Sequence, residues 1–239
     1  MTLEEMVKYL RVSILDDTGG TGVIWETITD DLDEVAMLRW SNEELTGFIN
    51  EALRKVCRSS LLLKDRQDSF NITLEDGVTE YALDPRIIRI KEVRDSDKGQ
   101  RLFEVAHEDT WNDSSATEKT GRPTAYFTDE VTGILSVYPI PTTASGLYNL
   151  RILAYREEMS PLSWITDVDA SPEINPRYHI PLLNYAAYLC YLKDEANSLD
   201  TGRAQQFLSL FYADFDDNSI HSEIRKNRSR RGTVAYGGY

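Results

Sequence analysis

Residues 175–216 read NPRYHIPLLNYAAYLCYLKDEANSLDTGRAQQFLSLFYADFD, and this stretch decides the fold. It predicts two helices joined by a polar turn. The first, over 181–194, is apolar nearly all the way round, with Leu182, Leu183, Tyr185, Ala186, Ala187, Tyr188, Leu189, Cys190, Tyr191 and Leu192. A helix without a polar face has to be enclosed by other elements. The second starts at Asp200, whose carboxylate suits the free N–H groups of a first helical turn. Ala204, Phe207, Leu208, Phe211 and Phe215 then form a single stripe at helical spacing. One enclosed helix beside an amphipathic one implies a bundle whose other walls come from elsewhere in the chain.

Those walls lie at the N-terminal end. Over residues 2–15, Thr2 and Glu5 fit a capping box, and Leu3, Met6, Val7, Leu10 and Ile14 follow one helical face. Over 40–63, Ser41 and Glu44 form a second box, with Trp40 placed to staple onto Leu45. Leu45, Phe48, Ile49, Ala52, Leu53 and Val56 continue that helix. Between the two, Gly19, Gly20 and Gly22 have neither the spacing nor the lysine of a phosphate-binding loop, so they read as a helix-ending loop. The acid-rich residues 23–38 predict a surface loop with a short strand or helical turn.

From Ser69 the period changes from helical to alternating. Phe70, Ile72 and Leu74, then Asp76-Gly77, then Val78, Tyr81 and Leu83 predict a hairpin. Further strands are expected at 86–93, 101–104, 124–128, 134–138 and 147–155. Pro139 and Pro141 suit a strand end or sheet edge. Residues 105–121 predict a loop or short helix, and 159–175 a linker anchored by Leu162, Trp164 and Ile165. The expected class is α+β. Residues 1–67 and 157–217 form a helical bundle, 68–156 an inserted antiparallel β subdomain, and 218–239 a flexible, extended C-terminal arm.

The 239 residues carry 40 acids against 26 lysines and arginines, a formal charge of −14. Arg225, Lys226, Arg228, Arg230 and Arg231 against Glu223 make residues 220–239 net +4, so the remaining chain is −14 less +4, or −18. An acidic body lacks the cations for a non-specific grip on nucleic acid. It suits a wall past which DNA slides, while the basic tail suits an acidic partner. The tail has too few apolar residues to offset its ordering entropy and is expected to be disordered in the free protein. No window approaches the roughly 18 apolar residues of a membrane span, and MTLEEMVKYL has no secretory pattern. Cys57 and Cys190 lie among apolar neighbours and read as buried thiols of a reducing compartment.

Chemistry is hard to place. His107, His179 and His221 have no second metal ligand at helical spacing, and no zinc pattern or nucleophile elbow occurs. His179 reads as a capping or packing residue. Asp194, Glu195, Asp214, Asp216 and Asp217 lie at helix C-termini, where they oppose the macrodipole, and read as a solvated face. Tyr185, Tyr188 and Tyr191 fit either a core or an oligomer surface. The expectation is a protein that is not an enzyme and has no catalytic, metal or cofactor site.

Several stretches, in order, resemble the head-to-tail adaptor (connector) proteins of short-tailed, podovirus-like bacteriophages. They are Leu15-Asp16-Asp17, Arg39-Trp40-Ser41-Asn42-Glu43-Glu44-Leu45 and Ile49-Asn50-Glu51-Ala52 in the N-terminal third. Then come Tyr81-Ala82-Leu83-Asp84-Pro85-Arg86, Gly121-Arg122-Pro123-Thr124-Ala125-Tyr126 and Tyr138-Pro139-Ile140-Pro141, and finally the helix pair from Tyr178-His179 to Phe207. The long acidic loop departs from the compact link of that family. The resemblance implies a dodecameric ring in the virion, between the portal protein ring and the tail nozzle protein, assembled in the host cytoplasm. Double-stranded DNA would pass through its channel without specific binding. The bundle would build the ring, the β unit would face the tail, and the arm would dock on the portal. Arg225, Lys226, Arg228, Arg230 and Arg231 would steer that arm, with Tyr236 and Tyr239 as anchors. A tail tube or nozzle protein is the alternative within virions, and an acidic DNA mimic the alternative of another class.

Overall fold

Thr2 and Ser41 each open a helix with the reciprocal bonds their sequences predict. The Thr2 hydroxyl accepts from the Glu5 N–H while the Glu5 carboxylate accepts from the Thr2 N–H, and Ser41 and Glu44 repeat the arrangement. These caps start helix α1 (Leu3–Tyr9) and helix α2 (Asn42–Ser60) in the computed structural model. The structure describes residues 1–17, 38–105, 119–129, 132–146, 148–193 and 201–215. Because the Ser41 side chain satisfies an otherwise unpaired donor, Ser41→Ala is expected to destabilise the chain by about 1 kcal/mol in urea unfolding.

The chain is α+β, with four α-helices and two sheets among the described residues. It divides into two compact units, Met1–Leu63 with Glu157–Asp217, and the segment between them. In the first unit, α1 continues as a π-helical segment, Leu10–Leu15, and ends at Asp16 in the left-handed region. Helices α3 (His179–Lys193) and α4 (Thr201–Phe215) complete it, with α3 packed on α4, α2 and the π segment. Leu3, Met6, Leu10, Leu45, Ile49, Leu182, Leu183 and Phe211 are wholly buried and form its core. The linker is tied in by backbone bonds. The first-turn N–H groups of Leu3 and Glu4 donate to the carbonyls of Ala170 and Val168, and the Asn50 amide bonds both backbone groups of Leu162. Ile165 is no anchor: it is 82% exposed, because the turn around it is held through Asp167 instead.

The second unit has two sheets. In the first, β8 (Asn149–Arg156) is the hub and pairs with β1 (Lys64–Asp65), β2 (Ile72–Thr73) and β4 (Ile87–Asp95). In the second, the order is β3 (Glu80–Ala82), β7 (Ile134–Tyr138), β6 (Ala125–Asp129), β5 (Phe103–Glu104). The strands after residue 85 fall where the alternation predicts them. The hairpin across Asp76-Gly77 does not form: its two strands join different sheets, β2 on β8 and β3 on β7. The turn itself is present, with Gly77 at φ +75, but it is tied to residues 141–143 by Gly77 N–H to the Pro141 carbonyl and Thr143 N–H to Asp76. A tight turn fixes a chain reversal, and longer-range pairing then chooses each strand's neighbour. The unit is not wholly antiparallel either, since β5 runs parallel to β6.

The enclosure expected for α3 is also incomplete. Leu182, Leu183, Ala186, Ala187 and Cys190 are buried, whereas Tyr188 and Leu189 are half-buried and Ile180 and Leu192 are exposed. The described chain covers one side of this helix and leaves apolar side chains on the other. The predicted cap Asp200, residues 18–37 and most of the 105–121 stretch lie outside the described residues.

Candidate functional site

Two buried ionic centres account for several of the sequence motifs. Arg11 is a charged residue on an amphipathic helical segment, yet it is 1% exposed. Its guanidinium donates to Asp17 at 2.6 Å, to the Trp40 carbonyl at 2.7 Å and to Asn42 Oδ1 at 2.9 Å. The Asp17 carboxylate also accepts from the backbone N–H groups of Arg39 and Trp40. Burial pulls the Arg11 guanidinium below its usual pKa, and Asp17 opposes that shift by charge and hydrogen bonding. Leu15-Asp16-Asp17 and Arg39-Trp40-Ser41 are therefore two halves of one clamp joining the end of the first helix to the start of α2.

In the β unit, Asp95 is the second centre. It accepts from the N–H groups of Asp97 and Lys98 and from Arg122, whose guanidinium lies 4.0 Å from the Tyr148 ring centroid. Burial pushes the Asp95 carboxyl up, but the hydrogen bonds from Arg122 and those two N–H groups, with the Arg122 charge, together outweigh it and hold the carboxyl below the usual carboxylate range. Tyr148 donates to the Pro123 carbonyl, and burial pushes its phenol up to about 12. Gly121-Arg122-Pro123 thus secures the turn after β4. Tyr81 and Asp84 do similar local work. The Tyr81 hydroxyl donates to the Val78 carbonyl, and Asp84 pairs with Arg86 at 2.5 Å. Tyr138-Pro139 is a cis peptide bond.

His179, Cys57 and Cys190 are packed rather than presented. His179 is 1% exposed, with Nε2 at 3.1 Å from the Ile174 carbonyl and Nδ1 at 3.1 Å from the Met1 amine. With the charged amine donating to Nδ1, Nε2–H donates to Ile174 and the ring is neutral. Burial lowers its pKa from the ordinary 6.5. The unfolded chain therefore takes up this proton before the folded chain does. Stability is unaffected by this group above about pH 6.5 and falls as pH drops below it, by at most about 1.4 kcal/mol per pH unit. His179→Gln is expected to flatten the pH dependence of the urea midpoint below about pH 6.5. Cys57 and Cys190 are buried free thiols, and burial pushes Cys190 up to about 12. No group of three or more His, Cys, Asp or Glu among the described residues is placed to hold a metal ion. His107 and His221 lie outside the described residues, as do Arg225, Lys226, Arg228, Arg230, Arg231, Tyr236 and Tyr239.

What the first unit does present is an aromatic helix pair. Phe211 is its centre, 5.0 Å from Tyr185, 4.8 Å from Phe215 and 5.5 Å from Tyr212 between ring centroids. Tyr191 stacks on Phe207 with an 8° interplanar angle, and Tyr178 closes the other end against Phe215. Lys193 caps the pair, bonding Glu44 at 2.5 Å with its ammonium over the rings of Trp40 and Phe48. Around this cluster Ile180, Leu192, Leu210 and Tyr212 remain 39–49% exposed. Tyr185, Tyr188 and Tyr191 are half-buried, so they serve the pair and still show a surface. No helix among the described residues is long and apolar enough to cross a membrane.

Motifs that all serve packing, beside helices with uncovered apolar side chains, define a structural protein that works through its surfaces. The SU10 adaptor protein family matches residues 1–235. The chain belongs to this family: it is a structural adaptor protein of a bacteriophage virion, acting with portal and tail components. No curated protein matches it.

Proposed function

We propose that the protein is the head-to-tail connector, a ring seated between the portal ring and the tail nozzle, with duplex DNA crossing its channel. In this reading the helical segments, 1–67 and 157–217, form a bundle that builds the ring. The inserted β subdomain, 68–156, faces the tail. The arm, 218–239, docks on the portal, with Arg225, Lys226, Arg228, Arg230 and Arg231 steering it towards an acidic surface and Tyr236 and Tyr239 burying aromatic area. The observation that carries the ring is α3, a helix apolar on every side of which the described chain covers only one. Half-open Tyr188 and Leu189, with exposed Leu192 and, on α4, Leu210 and Tyr212, are the side chains a neighbouring copy would cover.

Light scattering tests this directly. The chain alone is expected to have monomer mass and to add stoichiometrically to a purified portal ring, and deletion of residues 220–239 is expected to abolish that addition. A ring or tube formed without portal would replace this reading with that of a nozzle or tube protein. Undiminished addition of the deletion variant would remove the docking role of the arm.

A further inference from the structure

The outer face of the sheet built on β8 carries a row of arginines. Arg151 on β8 lies directly opposite Arg94 on β4, and Arg94 in turn lies opposite Arg101 across a β-bridge. Like charges in directly opposed positions destabilise a sheet. The adjacent residues of the same strands, Leu150, Ile152 and Val93, point into the core and are wholly buried, so the arginine side chains point outward. Arg66 lies beside the row, and Arg66, Arg94 and Arg151 line one shallow depression with Glu92 and Leu153. Glu92 pairs with Arg94. Asp95, at the end of β4, is 3% exposed and engaged by Arg122. Arg66, Arg101 and Arg151 have no side-chain ion pair among the described residues.

An arginine row on a chain of net −14 is a local reversal of sign. We propose that this face docks the phosphate backbone of double-stranded DNA, without reading sequence. Guanidinium forks match phosphate oxygens, and neighbouring strands about 4.8 Å apart let flexible arginines reach successive phosphates. Among the described residues, the lining of the depression holds no aromatic side chain, with Leu153 as its apolar part, and the exposed Phe103, two residues beyond Arg101, lies outside that lining. A protein partner would call for an apolar or aromatic centre. Stacking on bases would call for an aromatic platform. Phosphate contact needs neither, and it positions a duplex without specifying it. The inference rests on the connector reading, in which duplex DNA crosses the ring.

The test is anisotropy of a labelled duplex of about 30 base pairs with the full chain, titrated in salt from about 20 mM. R94Q/R101Q/R151Q is expected to weaken binding at least about tenfold. It should reduce the slope of log affinity against log salt by about 2 to 3, at about 0.9 per phosphate contact, equally for duplexes of different sequence. A variant with the five tail cations changed to Gln is expected to retain the loss caused by the sheet substitutions. R151Q alone, at an exposed residue without an ion pair, is expected to lower the slope by about 1 and guards against misfolding of the triple variant. Unchanged duplex affinity in either sheet variant overturns the proposal. So does a wild-type chain that ignores the duplex, or one that binds a poly-glutamate peptide as tightly, which would assign the face to an acidic protein. Addition to the portal ring reads the connector role separately, since the sheet variants are expected to add normally.

Discussion

Asp17→Asn is expected to destabilise the chain by about 3–5 kcal/mol, seen as a large drop in urea midpoint. The substitution leaves the Arg11 guanidinium charged, 1% exposed and without its counter-ion, and an uncompensated buried charge costs that much. The remaining bonds of Arg11, to the Trp40 carbonyl and Asn42, are neutral acceptors and do not replace the carboxylate. Arg11→Met combined with Asp17→Asn is expected to be more stable than Asp17→Asn alone, because the unpaired charge is gone. A midpoint for Asp17→Asn equivalent to within about 1 kcal/mol of wild type would show that water or rearrangement satisfies Arg11, and the clamp would lose its importance.

Phe211→Ala is expected to cost a comparable amount, about 3–5 kcal/mol, through the cavity left among Tyr185, Tyr212 and Phe215. Its neighbours in sequence should behave differently. Leu210 and Tyr212 are 45% and 44% exposed, so replacing each by Ser should cost far less: under about 0.5 kcal/mol for Leu210, and about 0.5–1.5 kcal/mol for Tyr212, whose ring packs edge-on against Phe211. If the ring is built on this helix pair, the same two substitutions should each weaken assembly on the portal by about 2 kcal/mol, the scale of an interface hot spot. Denaturation and scattering on the three variants separate the side chains that hold the fold from those that hold the assembly. Normal assembly of both Ser variants would move the subunit contact elsewhere.

Features encoded in a few adjacent residues were legible from sequence. The boxes at Thr2 and Ser41 and the alternation along β4, β6, β7 and β8 need no distant partner to be recognised. The order of motifs from Leu15 to Phe207 pointed to the family. Features set by distant partners were not legible. Arg11 looks like a solvated residue on an amphipathic helix until Asp17, Trp40 and Asn42 close round it from 6, 29 and 31 residues away. Short strands gave the same difficulty. Nothing within residues 72–82 says that one half belongs to β8 and the other to β7. The all-apolar α3 predicts a helix enclosed by other elements, whereas the described chain leaves one side of it open, because periodicity does not say where cover comes from. The arginine row became visible only once register placed Arg94, Arg101 and Arg151 side by side. The arm cations and tyrosines lie outside the described residues and rest on sequence and resemblance.

The interrupted first unit also sets a timetable for synthesis. Helix α2 presents Leu45, Ile49 and Leu53, all buried in the finished chain, and its wall α3 begins only at His179. At about 5–20 residues per second, the ribosome takes on the order of 6–24 s to make the roughly 120 residues between them. Throughout that interval the N-terminal helices have each other but lack α3, the main wall for the apolar stripe of α2, while β4 likewise waits for β8. The nascent chain is thus most open to misassociation midway through translation: β8 at 149–156 completes its sheet first, and the first unit waits for the last quarter of the sequence.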